Sequence, residues 1–124
     1  MKLLIADDDR ALSLLLSTRL RTMGWTIQVA HDAMQALMVA MRTSPDAIML
    51  DIAMPGGTGI DALKKLKMSS KTTQIPVVVL SGSIEPKDEP NVIALGAAAF
   101  MRKPPDIDAL NALLLKLVGA PVGA

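Results

Sequence analysis

Three short charged sites in this chain each follow an apolar run. Asp7-Asp8-Asp9 follows Lys2-Leu3-Leu4-Ile5-Ala6, Asp51 follows Ala47-Ile48-Met49-Leu50, and Lys103-Pro104 follows Ala98-Ala99-Phe100-Met101-Arg102. A further run, Ile75-Pro76-Val77-Val78-Val79-Leu80, ends in Ser81-Gly82. In a doubly wound fold the carboxyl ends of the strands form the crevice where ligands bind, so these groups would meet there. Carboxylates, a hydroxyl and an ammonium in one cleft suit a divalent cation beside a phosphoryl group. Asp7 and Asp8 side by side repel unless a cation neutralises them. Hard oxygen ligands favour Mg²⁺, which keeps several waters and takes few protein carboxylates. Asp9 reads as a helix cap.

The elements that must position these groups alternate along the chain. Apolar runs predict strands at 2–6, 26–30, 47–50, 75–80 and 98–101, separated by segments of helical periodicity, and this alternation implies βαβ units with a parallel sheet. Leu12, Leu15, Leu16, Arg19, Leu20 and Met23 follow helical spacing, with Gly24 as the stop. Asp32 with Gln35 forms a capping box opening a helix through about Arg42, and Pro45 follows its end. Thr58 with Asp61 opens a helix to about Met68, before the polar loop Ser69 to Gln74. Pro90 and Pro86 cannot both lie in one regular helix, so a short helix should start near Pro90 and end before Gly96, after a loose loop from Ser83 to Glu89. The last helix runs from about Asp106 to Val118 with Leu110, Leu113, Leu114 and Leu117 on its buried side.

Composition narrows the function. At 124 residues, the chain is long enough for one core that buries about two-thirds of its unfolded surface. Half of it is apolar, against disorder, and the absence of Cys removes disulfides and thiolate metal sites. No signal peptide can be drawn, and no apolar stretch approaches the ~20 residues that span a bilayer, so a soluble cytoplasmic protein without membrane contact is expected. A net charge of +1 and only two aromatics, Trp25 and Phe100, give neither a basic stripe nor a stacking platform for direct nucleic-acid binding.

The motifs together resemble the receiver domain of two-component response regulators, and are similar to its single-domain chemotaxis-type members. The resemblance rests on Asp7-Asp8, Asp51 with Ile52-Ala53-Met54-Pro55 and Gly59, then Ser81, Phe100 and Lys103-Pro104, and covers about Lys2 to Val118. It implies a flavodoxin-like (βα)5 fold, an α/β doubly wound sheet of five parallel strands in order 2-1-3-4-5. It also implies a phosphoryl group accepted on Asp51 from a histidine kinase or histidine phosphotransfer protein. Asp8 and Asp51 would bind Mg²⁺ (or Mn²⁺) directly, the Ala53 carbonyl would be a third ligand, and Asp7 would hold metal-bound water. Lys103, before a cis peptide bond to Pro104, would pair with Asp51 or a phosphoryl oxygen. The backbone at Ala53 and Gly82 would contact the phosphoryl group. Ser81 and Phe100 would form the switch, the hydroxyl moving to the phosphoryl group and the ring rotating into the vacated space. A downstream protein would read the change at the face of the fourth helix, fifth strand and fifth helix, and a phosphorylation-dependent homodimer stays open. Pro105 departs from the pattern, which more often has an apolar non-proline residue there.

Two other functions fit part of the pattern. An aspartate-nucleophile phosphohydrolase typically places a second Asp two residues after the nucleophile, where Ala53 stands. A receiver-like interaction module without phosphorylation has no need of Asp7, Asp8, Asp51, Ser81 and Lys103 together. The chain is therefore expected to be a signalling domain that supports only its own phosphotransfer and dephosphorylation. Residues 1–118 would be the receiver domain and 119–124 a tail or the start of a linker, either in a stand-alone regulator or in a domain cut from a longer protein. His31 is expected on the surface, Lys64, Lys65 and Lys67 on the solvated face of a helix, and most of the nine Met residues in the core.

Overall fold

The structure, a computed structural model, describes residues 1–53, 59–82 and 89–119. Five parallel strands lie in the order β2-β1-β3-β4-β5. They are β1 (Lys2–Ala6), β2 (Thr26–Ala30), β3 (Ala47–Leu50), β4 (Val77–Ser81) and β5 (Ala99–Arg102). The helices between and after them are α1 (Arg10–Thr22), α2 (Ala33–Thr43), α3 (Gly59–Met68), α4 (Glu89–Ala94) and α5 (Ile107–Leu117).

Period-2 alternation divides the strand side chains between two cores. Leu3, Ile5, Met49, Val78 and Leu80 pack with Leu16 and Leu20 of α1 and Leu110 and Leu114 of α5. Leu4, Ala6, Ile48, Leu50, Val77 and Val79 pack on the other face with α2, α3 and Val92 of α4. Both faces are covered, which is why the central strands read as unbroken apolar runs. Leu113 and Leu117 lie partly buried against the first core, as their spacing predicts.

Local chemistry sets the element ends. Asp9, Asp32 and Asp106 cap α1, α2 and α5, their carboxylates accepting from Leu12, Gln35 and Ala109 amides. Gln35 returns its side chain to the His31 amide at 2.9 Å, one residue earlier than a standard capping box. Gly24 follows α1 at φ +102. The Thr58 half of the third cap, the Ser83–Asp88 part of the loop before α4, and the tail beyond Gly119 lie outside the described residues. α4 itself begins at Glu89 and ends at Ala94, with Pro90 in its first turn.

Several expectations are corrected. β4 starts at Val77 rather than 75, because the Ile75 amide is held by Thr72 O at 3.0 Å and Pro76 has no amide to give. It extends to Ser81, which pairs with Arg102, so β5 also ends one residue later than expected. Lys67 is only partly solvated: its ammonium donates to Thr73 O at 3.1 Å and Ile75 O at 2.7 Å, and burial lowers its pKa. The methionines are not mainly core. Met34, Met38 and Met41 line the outer face of α2, and Met1 and Met68 are also exposed, whereas Met49 is buried. Ala33, Ala36 and Ala40 form the inner face of α2, where small side chains let the helix lie close on the sheet.

Candidate functional site

The chain begins in the middle of the sheet, moves to the edge with β2 and returns to β3, so the winding direction reverses between β1 and β3. The carboxyl ends of these neighbours hold the expected acids. Ala6 pairs with Leu50, and the Asp51 amide donates to Ala6 O at 2.8 Å, placing Asp7 and Asp51 side by side. Both are buried, while Asp8 is exposed at the mouth. Carboxylate oxygens of Asp7, Asp8 and Asp51 lie within 4.8 Å of one another.

Lys103 reaches this cluster from the end of β5. Its ammonium lies 2.7 Å from Asp7 Oδ2 and 3.1 Å from Asp51 Oδ2. Among the described residues, Asp7 Oδ2 is compensated by this ammonium alone. The other Asp51 oxygen, Oδ1, accepts the Ala53 amide at 3.1 Å. Asp51 is thus pinned at both oxygens, and the Lys103-Pro104 bond is cis. Pro104 and Pro105 lead straight to Asp106, the cap of α5, so the additional proline is accommodated before the helix begins.

The electrostatics show an excess of negative charge. Burial raises the Asp7 pKa, the Lys103 hydrogen bond and the Asp9 amide pull it down, and the Asp51 carboxylate pushes it up again. Burial alone would lower the Lys103 pKa, but its hydrogen bonds to Asp7 and Asp51 and their charges outweigh this and raise it. One ammonium faces three carboxylates, two of them buried. That donor set fits a hard divalent cation.

A raised carboxyl pKa favours the folded state while the group is protonated. This contribution is complete below the ordinary value of 3.8 and is lost as pH rises through the raised folded value. Asp7→Asn should therefore raise the Tm of the metal-free protein at neutral pH. The gain should disappear in acid. A lower Tm for Asp7→Asn at neutral pH in the presence of chelator would refute the charge imbalance.

The residues expected to form the switch lie at the end of β4 and in β5. Ser81 is buried at the end of β4, and its carbonyl accepts the Lys103 amide at 3.3 Å. A Cβ on exposed Gly82 would lie 3.6 Å from the Lys103 Cβ. Phe100 pairs with Val79 and is partly buried against the core beneath α2, α3 and α4. His31 is half-buried rather than fully on the surface, with Nδ1 3.0 Å from Asp7 O. A carbonyl can only accept, so Nδ1 carries the proton. Nothing in the spacing of a lone His announces this brace on β1.

Gly59 is the constraint behind Asp51. A Cβ there would lie 2.2 Å from Ile52 Cα and 2.4 Å from Asp51 O, while the Gly59 amide donates to Ile52 O at 3.0 Å. Met54 to Thr58, between these contacts, lie outside the described residues.

A five-stranded parallel sheet of this order, with three acids and a lysine at its switch point, defines a phosphoryl-handling signalling domain. The chain belongs to the response regulator receiver domain family, which matches residues 3–115. It is 40% identical over 103 residues to the transcriptional regulatory protein CpxR of Klebsiella pneumoniae, covering 83% of this chain and 43% of that protein. It is 32% identical over 117 residues to the DNA-binding dual master transcriptional regulator RpaA of Synechocystis, covering 94% of this chain and 48% of that one. This chain thus spans about half the length of these curated relatives. Among solved structures, the chemotaxis protein CheY4 of Vibrio cholerae superposes with a TM-score of 0.86 at 28% identity, covering 94% of this chain and 97% of that one. The chain is therefore a response-regulator receiver of two-component signalling. Among the described residues no helix is long and apolar enough to cross a membrane.

Proposed function

We propose that Asp51 accepts a phosphoryl group from a phosphohistidine of a histidine kinase or phosphotransfer protein, and that the receiver signals through Ser81 and Phe100. The observation that carries this is the Asp51 carboxylate, buried yet pinned between the Ala53 amide and the Lys103 ammonium. A carboxylate oxygen attacks phosphorus, an O–P bond forms, the donor N–P bond breaks, and the imidazole leaves with the electron pair and takes up a proton. Asp8, Asp51 and the Ala53 carbonyl would hold Mg²⁺, with Asp7 beside them binding water, and the ion would neutralise charge between anionic nucleophile and anionic donor. Lys103, its proton held by Asp7 and Asp51, pairs with the developing phosphoryl charge. The Ser81 hydroxyl and Gly82 amide bond the phosphoryl oxygens, and Phe100 moves into the space behind Ser81. The altered face of α4, β5 and α5 is read by a protein target in the cytoplasm. Residues 1–118 are the receiver unit in this reading, and the only covalent steps are phosphoryl uptake and loss on its own aspartate.

Calorimetry with Mg²⁺ followed by beryllofluoride tests the site. Tight, Mg²⁺-dependent beryllofluoride binding is expected, weakened in Ser81→Ala; binding indifferent to Mg²⁺ would remove the metal from the proposal. Ala53, two residues past the acceptor, presents no group to orient water. Ala53→Asn and Ala53→Lys should therefore phosphorylate but lose the phosphoryl group at altered rates, followed by decay of intact-mass label. Decay indistinguishable among the three proteins would deny position 53 a part in the lifetime.

A further inference from the structure

A cleft of about 250 Å³ opens between α1 and the edge strand β2. Arg10, Ser13, Ser17 and Arg21 recur on one face of α1 at steps of three, four and four residues, and His31 follows β2 on the opposite wall. The two serines are buried, and their hydroxyls are bonded within the first turns, Ser13 to Asp9 O at 2.9 Å and Ser17 to Leu14 O at 3.1 Å. Small, satisfied side chains therefore make the floor, leaving a recess that a leucine at either position would fill. His31 gives a fixed wall, because its Nδ1–H is held by the Asp7 carbonyl.

The two ends are cationic. Among the described residues neither Arg10 nor Arg21 has an acidic partner, whereas Lys103 has two. Their Cα atoms are separated by eleven residues of helix, about 16 Å at ~1.5 Å per residue. A single small anion cannot span that distance, but guanidinium groups leaning inward from both ends can each grip one end of a longer ligand. The cleft is smaller than the ~300–1,000 Å³ of pockets for drug-sized molecules, which limits the ligand to a small one.

We infer that this cleft binds a small elongated dianion, with one anionic group on Arg10 and the other on Arg21. Guanidinium is suited to either carboxylate or phosphate, since its planar fork meets both with paired hydrogen bonds. The site adjoins the acidic cluster, since His31 and Ser13 both contact the Asp7 carbonyl, but its lining includes none of the three carboxylates and its ligand needs no divalent ion.

Calorimetry on the full chain with chelator present tests this, using acetate and the dicarboxylates succinate, adipate and suberate as probes, and hexane-1,6-diol bisphosphate to compare phosphate with carboxylate. Adipate or suberate should bind at least tenfold more tightly than acetate and more tightly than succinate, and the bisphosphate comparison identifies the preferred anionic group. Arg21→Gln should weaken the best probe at least fivefold, while Arg19→Gln, exposed on the same helix and outside the cleft, should leave it unchanged. Ser17→Leu should abolish binding while the fold, reported by buried Trp25, is retained. Equal losses in Arg19→Gln and Arg21→Gln, no dependence on probe length, or binding that requires Mg²⁺ would each overturn the assignment.

Discussion

Asp51→Asn should reduce Mg²⁺-dependent labelling from acetyl phosphate to background, read by intact mass. Asparagine keeps the shape of the side chain, so the Ala53 amide retains its acceptor and Lys103 retains Asp7. What disappears is the anionic oxygen that attacks phosphorus, and an amide is no substitute nucleophile. Asp9→Asn is the control. The Asp9 side chain accepts from the Leu12 amide at 3.0 Å as the cap of α1, and asparagine caps equally well. Substantial labelling should therefore persist there. Wild-type incorporation in Asp51→Asn would place the acceptor on another residue.

Gly59→Ala should be the most damaging single-methyl change in the described chain. Its Cβ would fall 2.2 Å from Ile52 Cα and 2.4 Å from Asp51 O, both backbone atoms that cannot turn aside as a side-chain tip can. Relief requires moving α3 or the segment that carries the acceptor. Overpacking of this kind costs roughly 3 kcal/mol or more, a loss of on the order of 10 °C in Tm. Denaturation followed through Trp25, buried with Nε1 bonded to Asn111 Oδ1 at 2.7 Å, measures it. Gly24→Ala separates the clash from backbone strain: Gly24 has φ +102 but nothing within 4 Å, so only the left-handed conformation is penalised, at about 1 kcal/mol. Similar losses for the two variants would show that the close approach at Gly59 is relieved cheaply. Labelling of Gly59→Ala should also slow, because the Asp51 carbonyl is one of the atoms displaced.

The sequence alone determined the order of strands and helices, because Leu3-Leu4-Ile5 and Val77-Val78-Val79 can be satisfied only by burial on both faces, and Asp9, Asp32 and Asp106 cap locally. It also marked Asp7, Asp8, Asp51, Ser81 and Lys103, since each charged or hydroxyl group ends an apolar run. The joint between Asp51 and Lys103, 52 positions apart, exists only once β4 has brought β5 to the same end of the sheet. Similar reasons hid the rest. Lys67 resembles its neighbours Lys64 and Lys65 until the loop through Ile75 folds back to offer it two carbonyls. The exposure of Met34, Met38 and Met41 was decided by which face of α2 its alanines could press against the sheet. An apolar residue names its preference for burial, but the amount of surface available to bury it is a property of the packed whole.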